Sequence, residues 1–153
     1  MSVSPLASAA MEFEHYDQRT ADGLVAAHEQ DAGLPGYLAI RLTDVSPGTM
    51  RAEVQVRDEL LTPFGNLHGG VLAALCDHVL GTVCYPVMER GAWAATTEFK
   101  LNYLAPVNGG TLVADARIVS MTKRTAVVRI EVTNDGRAVC MAQGTVLVMP
   151  PKR

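Results

Sequence analysis

The stretch GNLHGGVLAALCDHVLG, residues 65–81, places one acid and two histidines in an otherwise apolar run. From about Gly70 to Cys84 the side chains are nearly all apolar, which is too uniform for a surface helix. A helix of this kind is normally wrapped by the rest of its fold. We therefore expect Asp77 to be buried, and burial tunes a carboxylate for acid–base or nucleophilic chemistry. The alternative is that Asp77 marks a solvent edge of the helix or pairs with a neighbouring Arg or Lys.

Residues on both sides of this helix alternate as half-buried strands do. Before it, YLAIRLTDVSPGTMRAEVQV reads as two strands joined at SPG, and four strand-like segments follow it. The residues predicted to share one face of their strands are Met50, Ala52, Val54 and Val56; Ala95, Thr97, Phe99, Leu101 and Tyr103; Leu112, Ala114, Ala116 and Ile118; and Ala126, Val128, Ile130 and Val132. The triplet NDG predicts a tight hairpin turn before the last strand. An antiparallel sheet curling round one long helix satisfies these patterns, so we predict an α+β fold ending in a four-strand meander.

Composition narrows the classes of function. The chain has 153 residues, 48% of them hydrophobic, with a net charge of −3 and scattered basic residues, so nothing indicates a nucleic-acid surface. The three cysteines, Cys76, Cys84 and Cys140, show no paired metal-ligand spacing and are predicted to be reduced core thiols of a cytoplasmic protein. We expect no metal site, no membrane-spanning segment and no secretory signal.

The first 35 residues form a predicted N-terminal extension, followed by one domain over residues 36–150. Residues 1 to about 12 are small and polar and are expected to be disordered or loosely held. Residues 17–30 are expected to form one or two short helical turns interrupted by Gly23, and GLPGY then breaks the chain.

The HGG sequence at the start of the apolar helix offers a second chemical feature. Backbone N–H groups in the first turn of a helix lack intrahelical partners, and the helix dipole adds partial positive charge there. Two glycines also let a ligand approach the backbone closely. These N–H groups are therefore suited to bind a carbonyl oxygen and to stabilise the oxyanion formed when that carbonyl is attacked.

Four segments together resemble the hotdog-fold acyl-CoA thioesterases of the PaaI-like group. They are GNLHGGVLAALCD, with its Asp nine residues after His68, TTEFKLNYLAPV, TKRTAVVRIEV and AQGTVLV, and the resemblance covers roughly residues 36–149. It implies a curved antiparallel sheet around one long central helix. It also implies a homodimer, or a dimer of dimers forming a homotetramer, with composite active sites in which the acid reaches across from the partner chain.

The resemblance implies a role for each motif residue. Gly69 would present its backbone N–H to the thioester oxygen, with Gly70 beside it at the substrate, and His68 would orient the loop or bond near the thioester. Asp77 would be the general base on water, or a nucleophile forming a transient anhydride. Thr96 matches a position where a small hydroxyl residue helps to hold the attacking water; its other interpretation is an ordinary strand threonine.

One position departs from the family pattern. Six residues before the histidine, where the family often has Asn or Gln, this chain has Thr62, whose hydroxyl is shorter and has no amide N–H. Asn66 lies nearby at a different offset, and both residues are candidate substrate contacts. The departure bears on rate or substrate class more than on reaction type. Phe64, Leu67 and Leu80 are the predicted lining of an apolar acyl pocket.

Cations are expected where coenzyme A phosphates bind. Lys123 and Arg124 match the family's nucleotide-side turn, although a solvated charged hairpin is the alternative. His78 points about 100° round the helix from Asp77 and is predicted to serve packing or a subunit contact. Cys76 and Cys84 are predicted core residues rather than nucleophiles.

The predicted activity is acyl-CoA hydrolysis to a carboxylic acid and free coenzyme A, with no cofactor beyond the coenzyme A of the substrate. Two other classes remain open. One is a non-catalytic hotdog module that senses acyl-CoA, which retention of Asp77 disfavours. The other is a hotdog hydratase or dehydratase acting on enoyl or hydroxyacyl thioesters, which requires a histidine paired with an acid to move protons at two carbons.

Overall fold

A computed structural model describes residues 11–30 and 32–152. It has three α-helices, α1 (Gln18–Ala27), α2 (Gly33–Tyr37) and α3 (Gly69–Thr82), and two 3₁₀ turns, Asp58–Leu60 and Tyr85–Val87. The six strands are β1 (Arg41–Ser46), β2 (Thr49–Gln55), β3 (Trp93–Tyr103), β4 (Thr111–Met121), β5 (Thr125–Asn134) and β6 (Arg137–Met149). The loose start predicted for residues 1 to about 12 lies almost wholly outside the described residues.

The six strands form one antiparallel sheet in the order β1-β2-β4-β5-β6-β3, and α3 packs on strands β2 to β6. This arrangement confirms the predicted α+β hotdog architecture. The predicted four-strand meander is wrong at its first step, because β3 pairs with β6 and not with β4. Alternation shows which face of a strand is buried but not which strand lies beside it. As a result β3 occupies a sheet edge.

The inner face of the sheet carries the predicted apolar residues. All the inward positions predicted for β4 and β5 are buried, and so are Met50, Ala52 and Val54 of β2. The NDG hairpin is also confirmed, since Asp135 and Gly136 have φ values of 48° and 83°, as a type I′ turn requires. The strand pattern therefore identified the core side chains of β2, β4 and β5. It was wrong for β3, where none of the predicted residues is buried and a bulge between Thr96 and Glu98 interrupts the alternation.

Helix α3 lies close against the sheet at Gly144. A Cβ atom at that glycine would stand 2.6 Å from Leu80 Cδ1 and 2.5 Å from Phe99 Cβ, so only a residue without a side chain allows this approach. Leu80 is fully buried in the core. Its predicted role in lining the acyl pocket is therefore wrong, because the sheet already fills the space around it.

Asp77 is exposed, and the expectation that it is buried within the chain is wrong. The sheet covers only one side of α3. The opposite side bears Asp77 among residues spaced three or four apart that are small and only partly covered, namely Gly70, Ala73, Ala74 and Gly81. Their small side chains leave the carboxylate accessible from outside the chain.

Residues 17–30 of the N-terminal extension are more regular in structure than their sequence indicates. Asp17 caps α1 by accepting hydrogen bonds from the backbone N–H groups of Arg19 and Thr20, and the helix continues through Gly23 without a break. One exposed glycine costs a helix only about 1 kcal/mol, which packing of α1 on β1 and on the 3₁₀ turn Tyr85–Val87 offsets. The GLPGY segment does not break the chain either, because it forms α2.

The segment Gly69–Val87 is long and apolar enough to span a membrane, with 19 residues and a mean hydropathy of 1.4. By length and composition the segment therefore departs from the expectation of no membrane-spanning segment. The sheet and the loops around it bury 61% of the segment, as they do for the core helix of a globular fold.

Candidate active site

Two side chains hold the peptide unit at the start of α3. The Nδ1 atom of His68, the N-cap residue, accepts a hydrogen bond from the Gly70 N–H at 2.9 Å. The Tyr103 hydroxyl donates to the Gly69 carbonyl at 3.0 Å. These two groups belong to the same peptide bond, so both of its ends are held. Because Nδ1 of His68 accepts, a neutral ring carries its proton on Nε2.

The N–H of Gly69 has no hydrogen-bond partner within the part of the chain that is described. It stands at the first helical position, where the dipole of α3 favours negative charge. The N–H of Gly70, by contrast, is taken by His68. Of the predicted pair, Gly69 thus has the N–H that is available to a carbonyl oxygen, whereas the N–H of Gly70 is engaged in the helix cap.

The loop before α3 is shaped by Thr62. Its hydroxyl accepts a hydrogen bond from the Phe64 N–H at 3.3 Å, and its own N–H donates to the Asn66 carbonyl at 2.6 Å. Thr62 therefore stabilises the loop where the family often has a side-chain amide. The side chains of Asn66 and Phe64 point outward, and Phe64 is 90% exposed.

A small open cavity of about 430 Å³ lies beside Gly69. Leu67 and Leu72 line it from the α3 side, and Tyr103 lines it together with residues 104–107 from the end of β3. Its lining is largely apolar. The structure therefore places Leu67 next to the candidate oxyanion donor, as expected for a residue near an acyl group.

Asp77 and Thr96 both lie where α3 runs alongside β3. At one end of this packed region Tyr103 contacts Gly69. At the other end a Cβ atom at Gly81 would be 4.0 Å from the Cβ of Ala94. The side chain of Asp77 forms no hydrogen bond or ion pair with any described residue. Thr96 is exposed and precedes a bulge in the β3–β6 pairing, a feature common beside active sites.

Gly69 and Asp77 are not neighbours in space within one chain. They stand eight residues apart on one helix, which is about 12 Å along its axis. A carbonyl oxygen bound at Gly69 and a water held by Asp77 must both reach the same carbon atom. Two hydrogen bonds and the covalent bonds between them together span less than about 12 Å. The Gly69 N–H and the Asp77 carboxylate of one chain are therefore too far apart to act on the same carbon atom.

Lys123 and Arg124 lie at the exposed turn between β4 and β5. The Thr122 hydroxyl shapes this turn by accepting from the backbone N–H groups of Arg124 and Thr125 at 3.2 Å and 3.0 Å. The turn borders a cavity of about 890 Å³, whose other walls are residues 11–15, residues 87–92 and the end of β6. Three glutamates, Glu12, Glu14 and Glu89, line the same cavity.

The cysteines are buried and free, as predicted. The Sγ atoms of Cys76 and Cys140 are 4.0 Å apart, and this contact together with burial raises the pKa of the Cys76 thiol. Burial also raises the pKa of Cys84 to about 12. Thiols held protonated in this way are poor nucleophiles. Among the described residues, no group of three or more His, Cys, Asp or Glu side chains has the arrangement of a metal site.

Sequence patterns did not reveal two residues near this site. In the sequence, Tyr103 is only one of the alternating residues of a strand, because its contact with Gly69 depends on how β3 lies on α3. His28 pairs with His78 across 50 residues of sequence. In the sequence His28 is a single histidine outside the family motifs, and nothing near it indicates that it pairs with another histidine.

Comparison with known proteins supports the family that the sequence motifs indicate. The model of the Thioesterase superfamily matches residues 64–141. The human protein Acyl-coenzyme A thioesterase 13 is 30% identical over 106 residues, 69% of this chain and 75% of the relative. The 1,4-dihydroxy-2-naphthoyl-CoA hydrolase of Listeria monocytogenes is 26% identical over 79% of this chain and 99% of the relative.

A solved structure agrees in fold. The phenylacetic acid degradation-related protein from Ralstonia eutropha superposes with a TM-score of 0.72 at 28% identity, over 80% of this chain and 96% of that one. The strand order, the helix entrance and the matched residues thus point to the same family. The chain belongs to the Thioesterase superfamily and is a thioester hydrolase of the hotdog fold.

Proposed function

We propose that this protein is an acyl-CoA thioesterase that works as a homodimer with composite active sites. The observation that carries the proposal is the relation between Gly69 and Asp77. One chain offers an open oxyanion donor and an unpartnered carboxylate on the same helix, yet about 12 Å apart. A second chain, related by two-fold symmetry, supplies the missing half to each site.

The edge strand supports this assembly. None of the 11 residues of β3 is buried, and Trp93 and Tyr103 leave 43% and 57% of their surfaces exposed. A long edge strand with unpaired backbone groups is a template for pairing with another chain. Pairing of β3 with its two-fold copy would also cover the adjacent open side of α3, which bears Asp77.

In the proposed reaction, the thioester oxygen binds the Gly69 N–H of one chain. Asp77 of the other chain removes a proton from water as the water attacks the carbonyl carbon, with Thr96 helping to hold that water. The tetrahedral oxyanion is stabilised at Gly69, then collapses with cleavage of the C–S bond, and coenzyme A leaves as its thiol with the proton that Asp77 took from water. In the alternative, Asp77 attacks the carbonyl carbon directly, the C–S bond breaks and coenzyme A leaves as its thiolate, and water then cleaves the anhydride to give the carboxylic acid and free Asp77. Both routes require a thioester and water, with no cofactor.

Thr62 affects the rate expected of this site. Its hydroxyl is engaged in the loop, so carbonyl polarisation depends on Gly69 and on the dipole of α3. The outward Phe64 and the apolar cavity by Leu67 favour an apolar acyl group, and the exposed Asn66 is a candidate substrate contact. Lys123 and Arg124 are the proposed contacts for the phosphates of coenzyme A, although the three glutamates of the neighbouring cavity confine the phosphates to its rim.

An acyl-CoA sensor is the second candidate function. The specific observation that favours it is Thr62, which removes a side-chain amide from the site and thereby weakens chemistry more than binding. A hydratase is disfavoured because the imidazole Nδ1 of His68 already accepts from the backbone and so does not pair with an acid there.

The deciding experiment measures thiol release from short-chain, medium-chain, long-chain and aromatic acyl-CoAs by the wild type and by Asp77→Asn. We expect turnover in the variant to fall by at least ~10²-fold, since positioned general-base catalysis contributes that much. The matched control is Asp44→Asn, an exposed acid on β1, which should keep full turnover. Binding without hydrolysis in the wild type would favour the sensor, and equal turnover in Asp77→Asn would overturn the mechanism.

A further inference from the structure

Two imidazoles join the N-terminal extension to the helix that bears Asp77. His28, the C-cap residue of α1, faces His78 of α3 with 2.5 Å between their Nε2 atoms. Their ring centroids are 4.8 Å apart and the ring planes are inclined by 60°. The Nδ1 atom of His28 lies 2.6 Å from the Leu24 carbonyl oxygen. This contact ties the end of α1 to the middle of α3.

The partners of the two rings determine where their protons lie. A carbonyl oxygen only accepts, so Nδ1 of His28 carries a proton. The contact between the two Nε2 atoms has room for one proton, which one ring donates and the other accepts. If both rings became fully protonated, two N–H groups would face each other and the contact would break. The geometry therefore holds at most one positive charge on the pair.

The surroundings of His78 keep its ring uncharged. The titratable groups that act on it are His28, from α1, and Asp77, from its own helix. On the inner face of the sheet against α3, the titratable groups among the described residues are Cys140, in contact with Cys76, and the Tyr103 hydroxyl, bonded to Gly69. Burial and the facing His28 ring lower the pKa of His78 to about 4, although Asp77 acts in the opposite direction.

We propose that His28 is a positioning residue for the thioesterase site, because it holds His78 as an uncharged imidazole beside Asp77. This inference rests on the proposed role of Asp77. A protonated His78 would attract the neighbouring carboxylate, weaken it as a base or nucleophile and draw it away from the substrate. The N-terminal extension, which lies outside the matched residues 64–141, thereby contributes to the chemistry.

The proposal makes a direct prediction for the wild type. In an NMR titration of the ring Cε1–Hε1 signals, His78 should remain neutral at pH 5.5, where an ordinary imidazole is mostly charged. This measurement needs no variant and no substrate. Titration of the His78 signal with a midpoint near 6.5 in the wild type would overturn the proposal.

The variant His28→Ala tests the consequence for catalysis. Opening His78 to water should move its midpoint toward 6.5, so that about a tenth of the molecules keep a neutral His78 at pH 5.5. The kcat of the variant should then fall about tenfold between pH 7.5 and pH 5.5 beyond the decline of the wild type, with little change in KM. In the double variant His28→Ala/His78→Asn this additional fall in kcat should disappear, because no imidazole remains at position 78 to be charged.

Controls separate this proposal from the proposed function. Glu29→Gln, an exposed change beside His28, should leave the pH profile of kcat unchanged. If the pH profiles of kcat for His28→Ala and the wild type are parallel, the positioning role of His28 is overturned and the thioesterase proposal is unaffected. If the wild type hydrolyses no acyl-CoA, the thioesterase proposal fails and the positioning role fails with it, whatever the NMR titration shows. Circular dichroism and gel filtration establish that each variant is folded and assembled.

Discussion

The Tyr103 hydroxyl donates a hydrogen bond to the Gly69 carbonyl at 3.0 Å, joining the end of edge strand β3 to the first residue of α3. His68 binds the N–H at the other end of the same peptide bond. The Gly69 N–H belongs to the preceding peptide bond, between His68 and Gly69. That peptide bond is therefore attached to a peptide unit that is held at both ends. This relationship explains how a glycine pair can offer one N–H group in a defined direction.

Tyr103→Phe should lower kcat about fivefold, because one hydrogen bond of about 1 kcal/mol no longer holds the peptide. The ring remains, so packing against Gly69 is retained. Steady-state hydrolysis of the preferred acyl-CoA measures the effect. Tyr37→Phe, at a tyrosine of similar exposure on α2, is the matched control and should leave kcat unchanged. Equal kcat values in both variants would show that the Tyr103 hydrogen bond does not position the oxyanion donor.

The sequence predicted which face of a strand is buried better than it predicted which strands lie side by side. Period-two alternation identified Met50, Leu112 and Val128 as core residues, because inward and outward positions differ in hydrophobicity whatever strand lies alongside. The place of β3 beside β6 was missed, since pairing depends on how the chain returns from α3 and leaves no periodic trace. Gly23 misled the prediction of α1, because packing outweighed a small local cost.

The expectation that Asp77 is buried was wrong for a related reason. The apolar composition of α3 indicated burial on all sides, whereas the sheet of its own chain covers only one. A sequence cannot distinguish a helix face covered by its own sheet from one left open for a second copy, because both are apolar or small. The same ambiguity hid the contacts of His28 and Tyr103, which depend on distances between segments far apart in the chain.

The proposed composite site can be tested by mixing two variants that are each expected to be inactive. Gly69→Pro removes the oxyanion N–H at a first helical position that proline tolerates, and His68 already has the extended backbone that a residue before proline adopts. Asp77→Asn removes the carboxylate. Mixed after dissociation and reassembly, the two should recover about a quarter of wild-type activity, since half of the dimers are mixed and each of those has one intact site.

Gly69→Ala controls for the added side chain in this experiment. Its Cβ would meet the Tyr103 hydroxyl as the proline ring does, but it keeps the N–H. It should lose much less activity than Gly69→Pro, for which removal of one oxyanion donor predicts a loss of roughly 10²–10³-fold in kcat. No recovery on mixing, with dimers shown to exchange by native mass spectrometry, would place both groups in the same chain.

The proposed nucleotide contact predicts a difference between substrates. Lys123→Ala/Arg124→Ala should raise KM for an acyl-CoA about thirtyfold, with each of the two charge-assisted contacts to phosphate contributing on the order of 1 kcal/mol. The KM for the matching S-acyl pantetheine, which lacks the nucleotide, should not change. Arg129→Ala, an exposed cation on the outer face of β5, is the control. A similar rise for both substrates would show that the turn affects the site without binding phosphate.

The partly buried His78 ring predicts how stability depends on pH. Its pKa is lowered to about 4 in the folded protein against 6.5 in the unfolded chain, so between these values the unfolded chain binds more protons. The stabilising effect of the neutral ring is complete above pH 6.5 and is lost as the pH falls toward 4. At pH 5 the loss is about 2 kcal/mol of unfolding free energy relative to pH 8.

Urea unfolding of the wild type and of His78→Gln at pH 8, 6.5 and 5 measures this contribution. Glutamine does not titrate, so the variant should lose about 2 kcal/mol less than the wild type between pH 8 and pH 5, while the carboxylates common to both proteins cancel in the difference. His15→Gln, at an exposed imidazole, should follow the wild type. If the wild type and His78→Gln lose stability equally, the His78 ring is not held neutral in the folded protein.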